Sequence, residues 1–318
     1  MTEFERGPLL WLPKTKEVLL ETRTPPSCFS GRYRIEIEGA DGRRRVAADW
    51  FKNLITTNGG NQLGTTSPLS FCAVGSGNTA PALTDTALVS LVASTGTAIS
   101  TVYGNSSSAP WYGSTTYQYS FAAGTATGNL SEVGVGASPT SLFSRALILD
   151  GGGSPTTITV LSSEALYVTY QLFQYAPTTD VTGNITIGGV SYSYTLRASL
   201  ANTTNWAYQN NDYGLLSLAQ VSNGTIGSVT GSISGTTSNA DGISNSAYSS
   251  GSFSMAGTAS WSLTQGNVSG GVTAAQFLAG VNHQSRGQFQ IGFGSAIPKT
   301  SSYTLALSFS VTWTLNSP

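Results

Sequence analysis

A chain of 318 residues is long enough for two domains with real cores, yet only 9% of it is charged and the net charge is −1, against about 25% charged in ordinary globular proteins. That balance sets up no field to recruit nucleic acid or an acidic membrane. The 14 Tyr, 12 Phe and 6 Trp separate it from disordered polar sequences, and two cysteines, Cys28 and Cys72, are expected as free thiols rather than a disulfide framework.

The charges are unevenly placed: residues 1–52 hold 18 of the 29. The start, MTEFERGPLLWLPKTKEVLL, reads as neither a secretion signal nor a membrane span, because acids flank its Arg and its apolar run is short. Pro8, Pro13, Pro25 and Pro26 argue against a long helix or a central strand over residues 1–30. Leu9, Leu10, Trp11, Leu12, Val18, Leu19 and Leu20 are nonetheless too apolar for a free tail. An extended arm that docks on another subunit is expected, with packing back on its own domain as the alternative.

Next, GRYRIEIEGADGRRRV alternates Tyr33, Ile35 and Ile37 with Arg34, Glu36 and Glu38, and Asp41-Gly42 marks a hairpin turn. Arg43, Arg44 and Arg45 then face the Glu36/Glu38 strand, which favours a cross-strand charge ladder over a nucleic-acid patch. Ala47, Trp50, Phe51, Leu54 and Ile55 keep helical spacing, so one short helix is expected near 46–58, ended by Asn58-Gly59-Gly60. Strands follow in PLSFCAVGSG, TYQYSFAAG, LFSRALILD and TITVLSSEALYVTYQLFQY, with a turn at Asp150–Pro155. Ala176–Asp180 reads as a linker, and NITIGGVSYSYTL as a hairpin around Gly188-Gly189. TIGSVTGSISG, SFSMAGTASWSL and GQFQIGF are short, alternating and Gly-punctuated. From Tyr303 to Leu315 every odd residue is apolar and every even one is small and uncharged, the pattern of one long strand with a greasy and a smooth face. The expected fold is mainly β: an arm over 1–30, then two antiparallel β-sandwich or jelly-roll-like domains over 31–175 and 178–318.

Chemistry is scarce. His283 is the only histidine and no nucleophile elbow precedes a helix. The seven acids after residue 52 are scattered, so no metal or cofactor site is expected. Glu132 with Asp150, or Asp212 with Asp241, are the pairs that folding would have to bring together for glycoside hydrolysis; each is better read as a turn residue or a paired charge. No catalytic residue is assigned. Recognition has better candidates: Trp111 and Tyr112 in SAPWYGSTTYQY, and Trp206, Tyr208 and Tyr213 among the amides of NTTNWAYQNNDYG. Aromatic rings with amides suit a sugar, while packing beneath a loop is the plain alternative.

Several stretches resemble structural and tail-fibre-type proteins of tailed bacteriophages. They are NLITTNGGNQLGTTSPLSFCAVGSGNTAPALTDTALVSLVA (53–93), GNLSEVGVGASPTSLFSRALILDGGGSPTTITVLSSEALYVTYQL (128–172), VTGNITIGGVSYSYTLRA (181–198) and the ending FGSAIPKTSSYTLALSFSVTWTL. Residues 201–285 match no such pattern. The resemblance implies a non-enzymatic virion structural protein, a fibre-like appendage at the neck, collar or tail. It implies assembly in the host bacterial cytoplasm, a homo-oligomer (a trimer first) and other virion proteins as partners. A receptor-binding fibre gripping host surface polysaccharide is the alternative, and a capsid-decorating or tail-tube protein a lesser one; a depolymerising enzyme is the weakest reading.

Overall fold

The computed structural model describes residues 16–65, 69–96, 98–187, 190–199, 216–280 and 286–316. In chain order the first elements are strands β1 (Lys16–Arg23), β2 (Ser27–Glu38), β3 (Arg44–Lys52) and β4 (Leu54–Ile55), followed by helix α1 (Thr57–Thr65). Then come β5 (Phe71–Gly75), β6 (Leu91–Thr95), β7 (Ala98–Asn105), β8 (Tyr112–Phe121), β9 (Gly128–Leu130), β10 (Glu132–Ser138), β11 (Ser141–Leu147), β12 (Ile158–Val160) and β13 (Ala165–Tyr175). The remainder is β14 (Val181–Ile187), β15 (Val190–Ser199), β16 (Leu216–Ser222), β17 (Thr237–Asn239), β18 (Gly242–Asn245), β19 (Ser254–Trp261), β20 (Val272–Gly280), β21 (Arg286–Ile297) and β22 (Tyr303–Leu315). The protein is mainly β, and β22 covers the whole stretch whose alternation marks it.

The strands form two stacked pairs of sheets. In the first, β3-β2-β13-β8-β7 faces β4-β11-β10-β5-β6. The Tyr33 hydroxyl meets the Ser144 hydroxyl at 2.6 Å across the gap, and the Phe143 and Tyr170 rings meet edge to face. In the second, β1, β22, β19 and β18 face β14-β15-β21-β20-β16-β17. There Phe309 stacks on Phe277 with ring centroids 3.6 Å apart, and Trp261 is fully buried while its indole N–H donates to the Ser238 carbonyl.

The two halves are joined by hydrogen bonds. β1 runs parallel to β22 through eight pairs, from Lys16 opposite Tyr303 to Arg23 opposite Ser310. After Thr24-Pro25-Pro26, β2 continues beside the same strand for three more pairs, Ser27–Phe29 against Trp313–Leu315. The prolines, which have no N–H to give, fall in the gap between the ladders. Thr24 holds the line there, its N–H donating to the Ser310 carbonyl at 2.8 Å and its own carbonyl accepting from the Thr312 hydroxyl. β2 then turns to β13 and β3. One buried cluster consequently runs from Phe29 to Trp313, across the expected boundary at 176–177.

The expected arm is corrected from Lys16 onward. Residues 16–23 are a strand of the second sheet pair and 27–30 open β2, because the edge of β22 needs backbone partners and these residues supply them. Val18, Leu19 and Leu20 lie opposite Leu305, Ala306 and Leu307 in that ladder. Leu9, Leu10, Trp11 and Leu12 lie outside the described residues.

The helix near 46–58 is also corrected: Arg44–Lys52 is a strand, and the helix is Thr57–Thr65. A register shift puts Tyr33 opposite Phe51 but Ile35 opposite Ala48, one extra residue on β3. That bulge turns the two-residue period into a three-residue one, which imitates a helix. The true helix opens where glycines suggested an end, with the Thr56 hydroxyl accepting from the Gly59 N–H at 2.9 Å. Its glycines face the neighbours with bare backbone. A Cβ at Gly59 would overlap the Phe143 carbonyl, and one at Gly60 would lie 2.7 Å from the Phe253 ring. The Trp313 indole donates to the Gly60 carbonyl at 3.2 Å. TIGSVTGSISG departs from expectation too. It is a loop across β15, β20 and β21, its backbone held by Arg197, Gln276 and Gln290 instead of by a neighbouring strand.

Two outcomes follow from this geometry. Gly59→Ala is expected to cost about 1–3 kcal/mol through overpacking against the Phe143 backbone, read by urea unfolding. A chain lacking residues 1–24 is expected to melt at a lower temperature and to bind an apolar dye, because one side of β22 loses its partner; an unchanged melting curve would show the ladder to be dispensable.

Candidate functional site

From Glu36 onward the carboxylates of the described residues are engaged within the fold. Glu132, at the start of β10, is completely buried and accepts four hydrogen bonds. Gly77 and Ser90 donate their N–H groups to Oε1 at 3.0 and 2.8 Å, while the Val89 N–H and Arg145 Nε donate to Oε2 at 3.1 and 2.8 Å. Arg145 on β11, itself buried, also donates to Asp85 Oδ2 and to the Thr79 carbonyl, each at 2.7 Å. The cluster pins the loop between β5 and β6 to the sheet beneath it. A carboxylate saturated with donors has no lone pair left to take a substrate proton. Asp150 closes its own turn by accepting the Gly152 and Ser154 N–H groups. Asp241 accepts from the Ser262 N–H, and hydrogen bonding from Ser262, its side chain first and its N–H next, holds the Asp241 carboxyl below the usual range. Asp212 and His283 lie outside the described residues. Cys28 and Cys72 are not joined; Cys72 is buried, which pushes its thiol pKa up and leaves it inert. Among the described residues no three metal-ligating side chains gather, and no helix is long and apolar enough to cross a membrane.

The aromatic candidates separate. Trp206, Tyr208 and Tyr213 lie outside the described residues. Tyr112 opens β8 with its ring against Phe173, at 5.1 Å between centroids and nearly perpendicular, and against Tyr175 at 5.6 Å. Trp111 is half-buried against the core and its carbonyl accepts the Ala176 N–H. Both rings serve intramolecular packing.

The surface with unspent interaction capacity is an edge. Consecutive strands lie in opposite sheets at both sides of the stack: β3 and β4 on either side of Asn53, and β6 and β7. The β3 side is protected in the usual way, with Arg44, Arg45, Asp49 and Lys52 all exposed. The β6/β7 side has no such protection, since no charged residue occurs between Asp85 and Glu132. Among the described strands β6 and β7 each end their sheet, with a neighbour on one side only. Of the thirteen large apolar residues exposed among the described ones, seven fall between Leu83 and Tyr103. On the two edge strands Leu91, Val92, Ile99, Val102 and Tyr103 are 38–58% exposed. The charge gap was visible in the sequence; that its apolar residues face outward was not.

Comparison with protein-family models, curated proteins and solved structures finds no match to this chain.

Arg145→Met leaves Glu132 buried without its cation, so a loss of about 3–5 kcal/mol is expected in equilibrium unfolding. Arg145→Lys is expected to recover only part of it, because a single ammonium cannot span Glu132, Asp85 and Thr79 as the guanidinium fork does.

Proposed function

We propose that this chain is a structural protein of a tailed-bacteriophage particle, a fibre-like appendage that works by assembling with copies of itself and with neighbouring virion proteins rather than by catalysis. The observation that carries the reading is the uncharged β6/β7 edge. A soluble monomer gains nothing from leaving two terminal strands bare of charge and lined with Val, Leu, Ile and Tyr, whereas a chain that adds a copy of itself there buries apolar area without stranding a charge. The sparse charge of the whole β surface and the structural use of its carboxylates support the same reading. The resemblance of residues 53–93, 128–172, 181–198 and the chain's ending to phage virion proteins supplies the biological setting. Attachment to the neck, collar, tail or capsid then rests on residues before β1, with Leu9, Leu10, Trp11 and Leu12 as the apolar contacts.

Sedimentation velocity at micromolar concentration tests the assembly claim. The native chain is expected to sediment as a homo-oligomer, a trimer in the first instance. Val92→Lys with Val102→Lys is expected to give monomers with an unchanged circular dichroism spectrum. A monomeric native chain overturns the reading, as does its absence from purified particles by mass spectrometry.

A further inference from the structure

A groove of about 900 Å³ opens on the second stack, between β14, β15 and β21 on one side and the loop 223–226 on the other. Its size falls within the range of small-ligand sites. Among the described residues no Lys, Arg, His, Asp or Glu lines it.

Two glycines leave its lining open. A Cβ at Gly294 would fall on the Ser193 hydroxyl, and one at Gly292 would press on the Ile226 side chain at 3.3 Å. Thr182, Asn184, Ser193 and Thr195 line the same space, and their side chains make no hydrogen bond among the described residues, so amide and hydroxyl groups able to donate and accept are unspent there. The opposite rim is held in place beforehand. Asn223 accepts the Thr236 N–H at 2.8 Å and donates to the Ser269 carbonyl at 3.1 Å, the Thr273 hydroxyl donates to the Gly224 carbonyl, and Gln290 accepts the Gly227 N–H at 2.8 Å. A rigid, open, neutral groove with bare backbone, one aliphatic wall and a row of unspent hydroxyl and amide groups matches a ligand that is flat, uncharged and covered with hydroxyls.

We infer that this groove binds a neutral oligosaccharide. The C–H face of a sugar ring lies on the glycine backbone and Ile226, and its hydroxyls exchange hydrogen bonds with Asn184, Ser193, Thr182 and Thr195. A carboxylated sugar is disfavoured because its charge would be desolvated with no cation opposite. The site shares no residue with the β6/β7 edge, so binding and assembly succeed or fail separately.

Saturation-transfer difference NMR on the full chain tests the inference, with maltotriose, lactose and chitotriose as neutral probes and trigalacturonate as the anionic one. Signal is expected from at least one neutral probe and none from trigalacturonate. Thr182→Trp fills the groove and is expected to abolish the signal. Asn184→Ala with Ser193→Ala, a milder change at exposed positions, is expected to weaken binding about fivefold per group removed. Silence from all three neutral probes overturns the inference, as does a stronger response to trigalacturonate or binding that neither variant alters.

Discussion

Residues 16–29 lie along residues 303–315, and most of the architecture depends on that pairing. β22 is the innermost strand of the second stack: Leu305, Leu307, Phe309, Val311 and Trp313 are all buried, and β19 occupies one of its sides. Its other side must be covered by something, since an unpaired row of amides beside so apolar a core is costly. The chain covers it with its own opening strand, then carries the same strand line into the first stack. Each half therefore borrows from the other, and the glycine-faced helix between them touches Phe143 from one half and Phe253 and Leu315 from the other.

The sparse charge takes on a specific meaning in this setting. Beyond β3 the ionic groups of the described residues act as internal fasteners. Arg145 ties two acids and a carbonyl under a loop, Arg197 links Asp180 to the Gly227 carbonyl, and the Lys299 ammonium donates to Ser262 and Asn267. What remains outside in that part of the chain is mostly hydroxyl, amide, glycine and exposed apolar residues. Such a surface is governed by shape and by backbone hydrogen bonding far more than by salt.

Legibility in the sequence followed the survival of the two-residue period. Tyr303–Leu315, the Tyr33–Ile37 strand and the hairpin at 181–196 keep it and were readable, as was the facing of Arg44 and Glu38, now a 2.7 Å ion pair. It failed in β3, where the bulge spaces Ala48 and Phe51 by three. It also failed in β10, where Gly134 and Gly136 sit under neighbouring backbone and side chains and show no hydrophobic letter. TIGSVTGSISG alternates without being a strand, because side chains from the sheet below satisfy its backbone. The groove escaped notice for a related reason: most of its lining is Thr, Ser and Gly, the commonest letters in the chain, and only the register of β14, β15 and β21 brings them together. Trp111 and Tyr112 were conspicuous as letters, and both are half-buried against neighbouring side chains.

The direction of the β1–β22 ladder has a mechanical meaning. Because the strands are parallel, Lys16 lies beside Tyr303, and the chain leaves the ladder at Leu315, its far end. Tension entering at Lys16 and leaving at Leu315 therefore runs along the strands, and loads their bonds in shear, all together, instead of peeling them one at a time. Individually each such bond contributes little. Arranged this way, they yield as a block, which makes the joint between the two halves stiff along the strand direction.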